Sequence, residues 1–423
     1  MMLLAFSEGA TAQDTQDIGS DLRRFVHDEA TATVHVRSYY FDRVDPRPPN
    51  NAALAGGGWL GYQTGWLHNV VQFGAVGYMT QPLWVPQGGD GTLLLKPRGY
   101  GFWVLGQAYG SVKLFDQTFT GYRQLVDELE VNSRDDRMVP NTFEAYALRG
   151  AVGPVSYFAG YVARMKLRNQ SDFFSMAAIA TTLYGRPPTT TSNAGMWLGS
   201  LRYKPIPSLA LRASTYYVQY ILTSAYGDAQ WSTPLAPGIT LGLMGNFMVQ
   251  GSNGTNALTG QAFSTWTSGL KASLGWGDFT LFAAYTQVGN SANYLEPYGA
   301  WLGYTHQQIR DFDHANERAF QLTGFYDFKG LGLPGLVFRA IATLGYGQIN
   351  PATGAYLAQN SEFDFDAEYH FDAVHERPDW LKPLSLRGRA GFLETNLNGQ
   401  PNGTRDFRVI LNYELTFKGD GKR

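Results

Sequence analysis

Basic side chains recur at every second position in several segments of the chain. Residues 155–168 hold Arg164, Lys166 and Arg168 in alternation with apolar residues. A row of cations offers a carboxylate, or another anion, successive weak binding sites. Seven more basic residues share this spacing, and the ten together form a predicted basic ladder along a substrate path: Arg164, Lys166, Arg168, Arg202, Lys204, Arg212, Lys271, Arg339, Arg387 and Arg389.

Carboxylates show the same spacing in residues 361–371. Glu362, Asp364, Asp366 and Glu368 alternate there with apolar or aromatic residues, and we predict that they form an acidic lumen wall. Opposed basic and acidic walls would create a transverse field that orients charged or dipolar solutes. In the alternative interpretation, the charges pair with each other across strands and have no role in transport.

A third charged region lies between predicted strands, in residues 126–140. Such a polar connection can remain in solvent outside the barrel or fold into the lumen. We predict the inward position, as a constriction loop. Its charged residues are Asp127, Glu128, Glu130, Arg134, Asp135, Asp136 and Arg137.

Alternation with a period of two is typical of β-strands, whose successive side chains point to opposite faces. The clearest example is 406–418, where every second residue from Phe407 to Phe417 is apolar or aromatic. One apolar face and one mostly polar face suit a strand between lipid and water. The predicted strands are 31–44, 57–67, 70–79, 100–115, 117–125, 141–152, 155–168, 195–204, 209–221, 225–235, 239–250, 263–276, 279–288, 317–328, 335–346, 361–371, 384–393 and 406–418.

Short turns alternate with long polar connections along almost the whole chain. Outer-membrane barrels have short periplasmic turns and longer external loops, which is the same pattern. We therefore predict an all-β fold, a transmembrane antiparallel β-barrel of about 18 strands with an aqueous lumen. The predicted long connections are 45–56, 80–99, 126–140, 169–194, 251–262, 289–316, 347–360 and 394–405.

Composition excludes several other classes of protein. The chain of 423 residues has no cysteine, which excludes disulfides, thiol catalysis and thiolate metal sites. Its net charge of −2 provides no global field for nucleic acid. No run of about 20 apolar residues predicts a membrane-spanning helix. We predict no cofactor, no metal and no nucleic-acid partner.

The N-terminus contains Ala10-Thr11-Ala12, which has the small-x-small form of a signal-peptidase site. We predict that 1–12 is the remnant of a secretory signal peptide; a disordered leader is the alternative. Residues 13–30 would then be a periplasmic segment, 31–418 the pore domain and 419–423 a C-terminal tail.

Four segments together resemble the OprD-type substrate-specific porins of pseudomonads. The most specific is 136–144 (DRMVPNTFE), and the others are 166–173 (KLRNQSDF), 37–41 (RSYYF) and 60–65 (LGYQTG). The resemblance extends over nearly the whole chain. The basic tail after Phe417 and the heavily acidic segment 361–371 depart from the family pattern.

The resemblance implies a channel of the Gram-negative outer membrane for passive, selective uptake of small organic acids, including aromatic ones. It matches Arg164, Lys166 and Arg168 to the ladder and 126–140 to the constricting third loop. The implied partners are small carboxylate solutes, outer-membrane lipid with lipopolysaccharide, and the barrel-assembly machinery. A monomer and a loose trimer are both consistent with it. A barrel enzyme, or an adhesin or receptor without a conducting pore, is the alternative function, although the seven scattered histidines argue against an enzyme.

Overall fold

The computed structural model describes residues 19–46, 51–87, 91–184, 193–299, 302–374, 376–397 and 400–419. Its strands form one antiparallel sheet that closes on itself, because β1 pairs with both β2 and β19. The strands are β1 (Thr31–Val44), β2 (Asn51–Gln63), β3 (Val71–Trp84), β4 (Phe102–Leu114), β5 (Gln117–Gln124), β6 (Thr142–Val152), β7 (Val155–Lys166), β8 (Phe174–Ser175), β9 (Met196–Ile206), β10 (Leu209–Val218), β11 (Leu222–Ala236), β12 (Ile239–Ser252), β13 (Ser264–Trp276), β14 (Phe279–Val288), β15 (Arg318–Asp327), β16 (Leu336–Tyr346), β17 (Gln359–His370), β18 (Leu384–Leu397) and β19 (Gln400–Lys418).

The predicted barrel of 18 strands is confirmed, with the two-residue β8 as one extra strand beside β7. Tight turns fall where glycine permits a positive φ: Gly153 (56°) and Gly277 (58°) lie in two-residue turns. The prediction of a long loop at 394–405 is wrong, since β18 and β19 continue through most of it. Polar strand ends that rise above the lipid have water on both faces, so they show no apolar alternation.

Helices are few and short in the described residues. A π-helical turn, Arg24–Asp28, precedes β1, and α1 (Met176–Leu183) follows β8. The Oγ of Ser175 caps α1 by accepting a hydrogen bond from the Ala178 backbone N at 3.2 Å. Short 3₁₀ turns occupy Pro97–Gly99, Phe328–Leu331 and Phe371–Ala373. Among the described helices, none has the length and apolar character that crossing a membrane requires. The predicted segment 1–12 and residues 420–423 of the predicted tail lie outside the described residues.

The outer face of the barrel is apolar and the inner face is polar. In β13, Leu270 and Leu274 are exposed on the outside, while Thr265 and Thr267 are buried on the inside. The largest buried apolar cluster also lies inside the barrel, where Val126, Tyr298 and α1 pack against the inner faces of several strands. Several of the long connections therefore fold inward and contribute much of the core.

Leu270→Arg tests which face meets lipid. Leu270 is 67% exposed on the outer face of β13, so we expect arginine there to destabilise the barrel by about 2–4 kcal/mol. The measurement is urea unfolding in lipid vesicles. Ser273→Arg, on the lumen face of the same strand, is the matched control and should cost much less; equal losses for the two variants would argue against this assignment of faces.

Candidate functional site in the lumen

The connection between β5 and β6, residues 125–141, is called L3 here. On one side, Asp135 Oδ1 accepts a hydrogen bond from Arg37 of β1 at 2.7 Å. On the other side, Glu130 accepts hydrogen bonds from Ser214 of β10 at 3.2 Å and from Ser224 of β11. Since β1 and β11 lie nine strands apart in either direction around the ring of 18, L3 extends across the barrel interior.

Asp136 of L3 is the centre of a partly buried ionic cluster. Its carboxylate lies 2.5 Å from Arg168, 3.2 Å from Arg134 and 3.4 Å from Arg137. Burial alone would raise the pKa of Asp136, but attraction to the three guanidinium groups outweighs it and holds that pKa well below its ordinary value. Burial lowers the pKa of Arg137 to about 9. Asp136 is therefore the shared counter-ion that permits Arg134, Arg137 and Arg168 to lie close together.

Two further carboxylates of L3 attach the loop to the wall. Glu128 accepts a hydrogen bond from Ser200 of β9 at 2.5 Å and lies 3.3 Å from Arg202. Burial raises the pKa of Glu130, although its hydrogen bonds from Ser224, Tyr294 and Ser214 act in the opposite direction. L3 is thus held by polar contacts at both ends of its path.

The connection between β14 and β15, residues 289–317, is called L7 here, and it covers half of the predicted acidic wall. Glu362 accepts hydrogen bonds from the backbone N of Ile309 at 2.7 Å and of Arg310 at 3.0 Å. Asp364 accepts one from the backbone N of Gln308 at 2.7 Å. These two carboxylates are 0% and 1% exposed and hold L7 against β17.

Glu362→Ala should release L7 from β17. It removes the acceptor of two backbone N–H groups, so we expect a local loss of about 1–3 kcal/mol and faster amide exchange at 308–310. Hydrogen exchange read by mass spectrometry measures it. Exposed Glu394 on the neighbouring β18 provides the control, Glu394→Ala. Exchange at 308–310 as slow as in the unaltered protein would contradict the tether.

The other two residues of the acidic wall are paired with arginines. Asp366 lies 2.5 Å from Arg387 and 3.3 Å from Arg389, and Glu368 lies 3.8 Å from Arg387. The expectation of opposed walls is wrong here, because β17 and β18 are paired neighbours and their charges meet side by side.

Five arginines lie on the inner faces of β18, β19 and β1. Arg408 lies 2.8 Å from Asp406, and Arg43 lies 2.6 Å from the same carboxylate. Arg37, Arg387 and Arg389 complete the set. The carboxylates within 4.0 Å of these five guanidinium groups are Asp135, Asp366, Glu368 and Asp406, so the cations outnumber them by one. We call this set the arginine wall: Arg37, Arg43, Arg387, Arg389 and Arg408.

Sequence reasoning placed only Arg387 and Arg389 of this wall. Arg408 alternates with Phe407 and Val409, and Arg37 and Arg43 lie on the face of β1 that carries buried Tyr39. The same period of two would have identified all three.

The β7 members of the predicted ladder are in different environments. The side chain of Arg164 is 59% exposed, 3.8 Å from Glu144. Lys166 is fully buried, and its Nζ donates to the backbone oxygens of Pro140 at 3.0 Å and Leu167 at 3.1 Å. Lys166 is therefore enclosed at the base of L3 and does not face open lumen, and Arg168 belongs to the Asp136 cluster.

The remaining ladder residues are dispersed around the ring. Arg212 is paired with Asp228 at 2.5 Å, and Lys204 is exposed near the turn into β10. Lys271 and Arg339 rest against phenylalanine rings. The structure therefore divides these ladder residues into separate groups: Arg387 with Arg389, Arg202 opposite Arg212, and Lys271 with Arg339 in the lining of one cavity.

One group of side chains in the described residues has a spacing suited to a metal ion. Asp313, His314 and Glu317 of L7 each place one ligand atom within 4.8 Å of the others. One oxygen of Glu317 already accepts a hydrogen bond from the His314 backbone N at 3.0 Å. That bond closes a local turn, which explains the proximity of these groups without a metal.

Comparison with known proteins decides the family. The sequence pattern of the outer membrane porin OprD family matches residues 23–417. This chain belongs to the OprD family. It is accordingly an outer-membrane porin of the Gram-negative type, a channel protein that crosses the membrane with many β-strands. No curated protein sequence matches it.

Solved structures share the OprD-type barrel at low sequence identity. OccK9 (OpdG) of Pseudomonas aeruginosa has a TM-score of 0.80 at 22% identity, covering 92% of this chain and 98% of its own. OpdK of Pseudomonas aeruginosa, solved with vanillate, has a TM-score of 0.77 at 20% identity, covering 93% and 100%. A BenF-like porin from Pseudomonas fluorescens Pf-5 has a TM-score of 0.79 at 17% identity, covering 92% and 99%.

Proposed function

We propose that this OprD-family porin is a selective uptake channel for small organic acids, aromatic carboxylates among them. The observation that carries the proposal is the arginine wall, whose five cations on three adjacent strands exceed the carboxylates around them. The similar OpdK was solved with vanillate, which is an aromatic carboxylate.

The ion pairs of the wall suit transient binding. A permeating carboxylate can accept hydrogen bonds from Arg387, whose side chain is 31% exposed, in exchange for part of its contact with Asp366. Charge-assisted bonds of this kind are strong, and competition from the fixed carboxylates keeps the net gain small. Weak sites in series permit both selection and release, as conduction requires.

L3 and L7 would act as the constriction in this proposal. L3 spans the interior between β1 and β11, and Asp135 at one of its ends contacts Arg37 of the arginine wall. A solute that passes L3 on this side must move along the guanidinium groups. The loop thereby converts a wide barrel into a path lined by cations.

Planar bilayer recording tests the function. We expect the purified protein to form open channels that prefer anions and are interrupted by benzoate, whereas arginine, as a cationic amino acid, should interrupt them less. A conducting pore without carboxylate interruption would overturn the selectivity. Absence of any conductance would favour a closed-barrel enzyme or adhesin.

A further inference from the structure

We propose that Lys271 and Arg339 form a second binding site for an aromatic carboxylate, separate from the arginine wall. This inference rests on the proposed function, because it assumes that such solutes enter the lumen. Lys271 lies on β13 and Arg339 on β16, a part of the ring that the arginine wall does not include. Both side chains project from the inner face, since exposed Leu270 in β13 and exposed Leu344 in β16 occupy the alternate positions of the two strands and mark the outer face.

The two cations line one cavity of about 550 Å³ beneath L7. Phe282 and Phe325 contribute aromatic rings from β14 and β15, and Tyr304 and His306 contribute from L7. The volume falls in the range of small-molecule sites, about 300–1,000 Å³. Thr280, Gln321 and Thr323 also line the cavity, and aromatic surface combined with a few polar and charged groups is typical of such sites.

The charges in this cavity differ from those of the arginine wall, since their close contacts are with aromatic rings and not with carboxylates of the described residues. The Nζ of Lys271 lies 4.6 Å from the centre of the Phe282 ring, and the Cζ of Arg339 lies 6.0 Å from that of Phe325. Among the described residues, neither cation has a carboxylate within 4.0 Å. Asp366 is directly opposite Arg339 in register, but its oxygens already meet Arg387 and Arg389.

An entering carboxylate would therefore pair with Lys271 and Arg339 without displacing a protein carboxylate. Its ring would lie among Phe282, Phe325 and Tyr304, where aromatic contacts add to burial. The cations would bind the carboxylate of the solute and the aromatic side chains would contact its ring, so the site should favour benzoate over acetate, which has no ring. It would hold solute below L7, next along the path after the constriction.

The test compares Lys271→Gln/Arg339→Gln with the unaltered protein in single-channel recordings. We expect the benzoate concentration for half-maximal interruption to rise about tenfold, as for the loss of one charge-assisted hydrogen bond. Acetate should interrupt both proteins equally weakly. Phe282→Leu/Phe325→Leu keeps both charges and should reduce the preference for benzoate over acetate.

Controls separate the possible failures. Lys113→Gln removes a cation from the inner face of β4, outside this cavity, and should leave benzoate interruption unchanged; circular dichroism checks that each barrel is folded. If benzoate interrupts the unaltered protein and the Lys271/Arg339 double variant equally, the site is overturned while the proposed function stands. If benzoate has no effect on the unaltered protein, both are overturned.

Discussion

Arg387→Gln/Arg389→Gln should slow the entry of benzoate into lipid vesicles about a hundredfold, from the loss of about 3 kcal/mol of attraction. Both arginines share Asp366, so their removal leaves that carboxylate facing the path without its two close partners. The net charge of the arginine wall and its four carboxylates changes from positive to negative. We also expect the reversal potential in a salt gradient to move toward cation selectivity.

Arg387→Lys/Arg389→Lys is the matched control for this prediction. It keeps both charges and should retain most of the flux, although lysine lacks the planar fork that binds a carboxylate bidentately. If benzoate entry through a folded Gln variant equalled that of the unaltered protein, the arginine wall would have no part in transport.

The second large effect is expected for Asp136→Ala. The substitution leaves the guanidinium groups of Arg134, Arg137 and Arg168 close together without their shared counter-ion. Because the cluster is partly open to water, the loss of its shared carboxylate should cost about 1–3 kcal/mol, enough for L3 to detach from its position. We expect fast amide exchange over residues 133–140 and a higher, noisier single-channel conductance.

Asp116→Ala, in the exposed turn between β4 and β5, is the control and should change neither quantity. Slow exchange and unaltered conductance in the Asp136 variant would show that L3 does not depend on this cluster. The pKa of Asp136 is held below its ordinary value, so its contribution to stability is present above the unfolded pKa and is lost as pH falls through the folded one. Between pH 5 and 7, L3 should therefore stay attached in the unaltered protein.

The sequence predicted the barrel well because lipid imposes a simple rule on strands. Each membrane-spanning strand must show lipid an apolar face, and β1, β7 and β14 begin at the predicted residues. This rule does not apply to the parts of strands that extend beyond the lipid. Alternation therefore could not predict the polar continuation of β18 and β19, whose sequence there is similar to that of a loop.

The lumen was predicted less well, because charge pairing depends on which strands are neighbours and where loops fold. Alternation placed Arg387, Arg389 and Asp366 on inner faces, and it could not show that the three form one group. Lys166 follows the same alternation, yet contacts with the base of L3 enclose it. Those contacts arise from tertiary structure, which no local pattern records.

The position of L3 has a consequence for how the protein is assembled. The contact between Asp135 and Arg37 joins residues 98 positions apart, and that between Glu130 and Ser224 joins residues 94 apart in the other direction. Both anchors together exist only after β1 to β11, more than half of the ring, have formed, and contacts between distant residues form late in folding. An immature barrel would then be a wide, leaky pore. The permeability barrier would appear as a last step of maturation, when the loop reaches both walls.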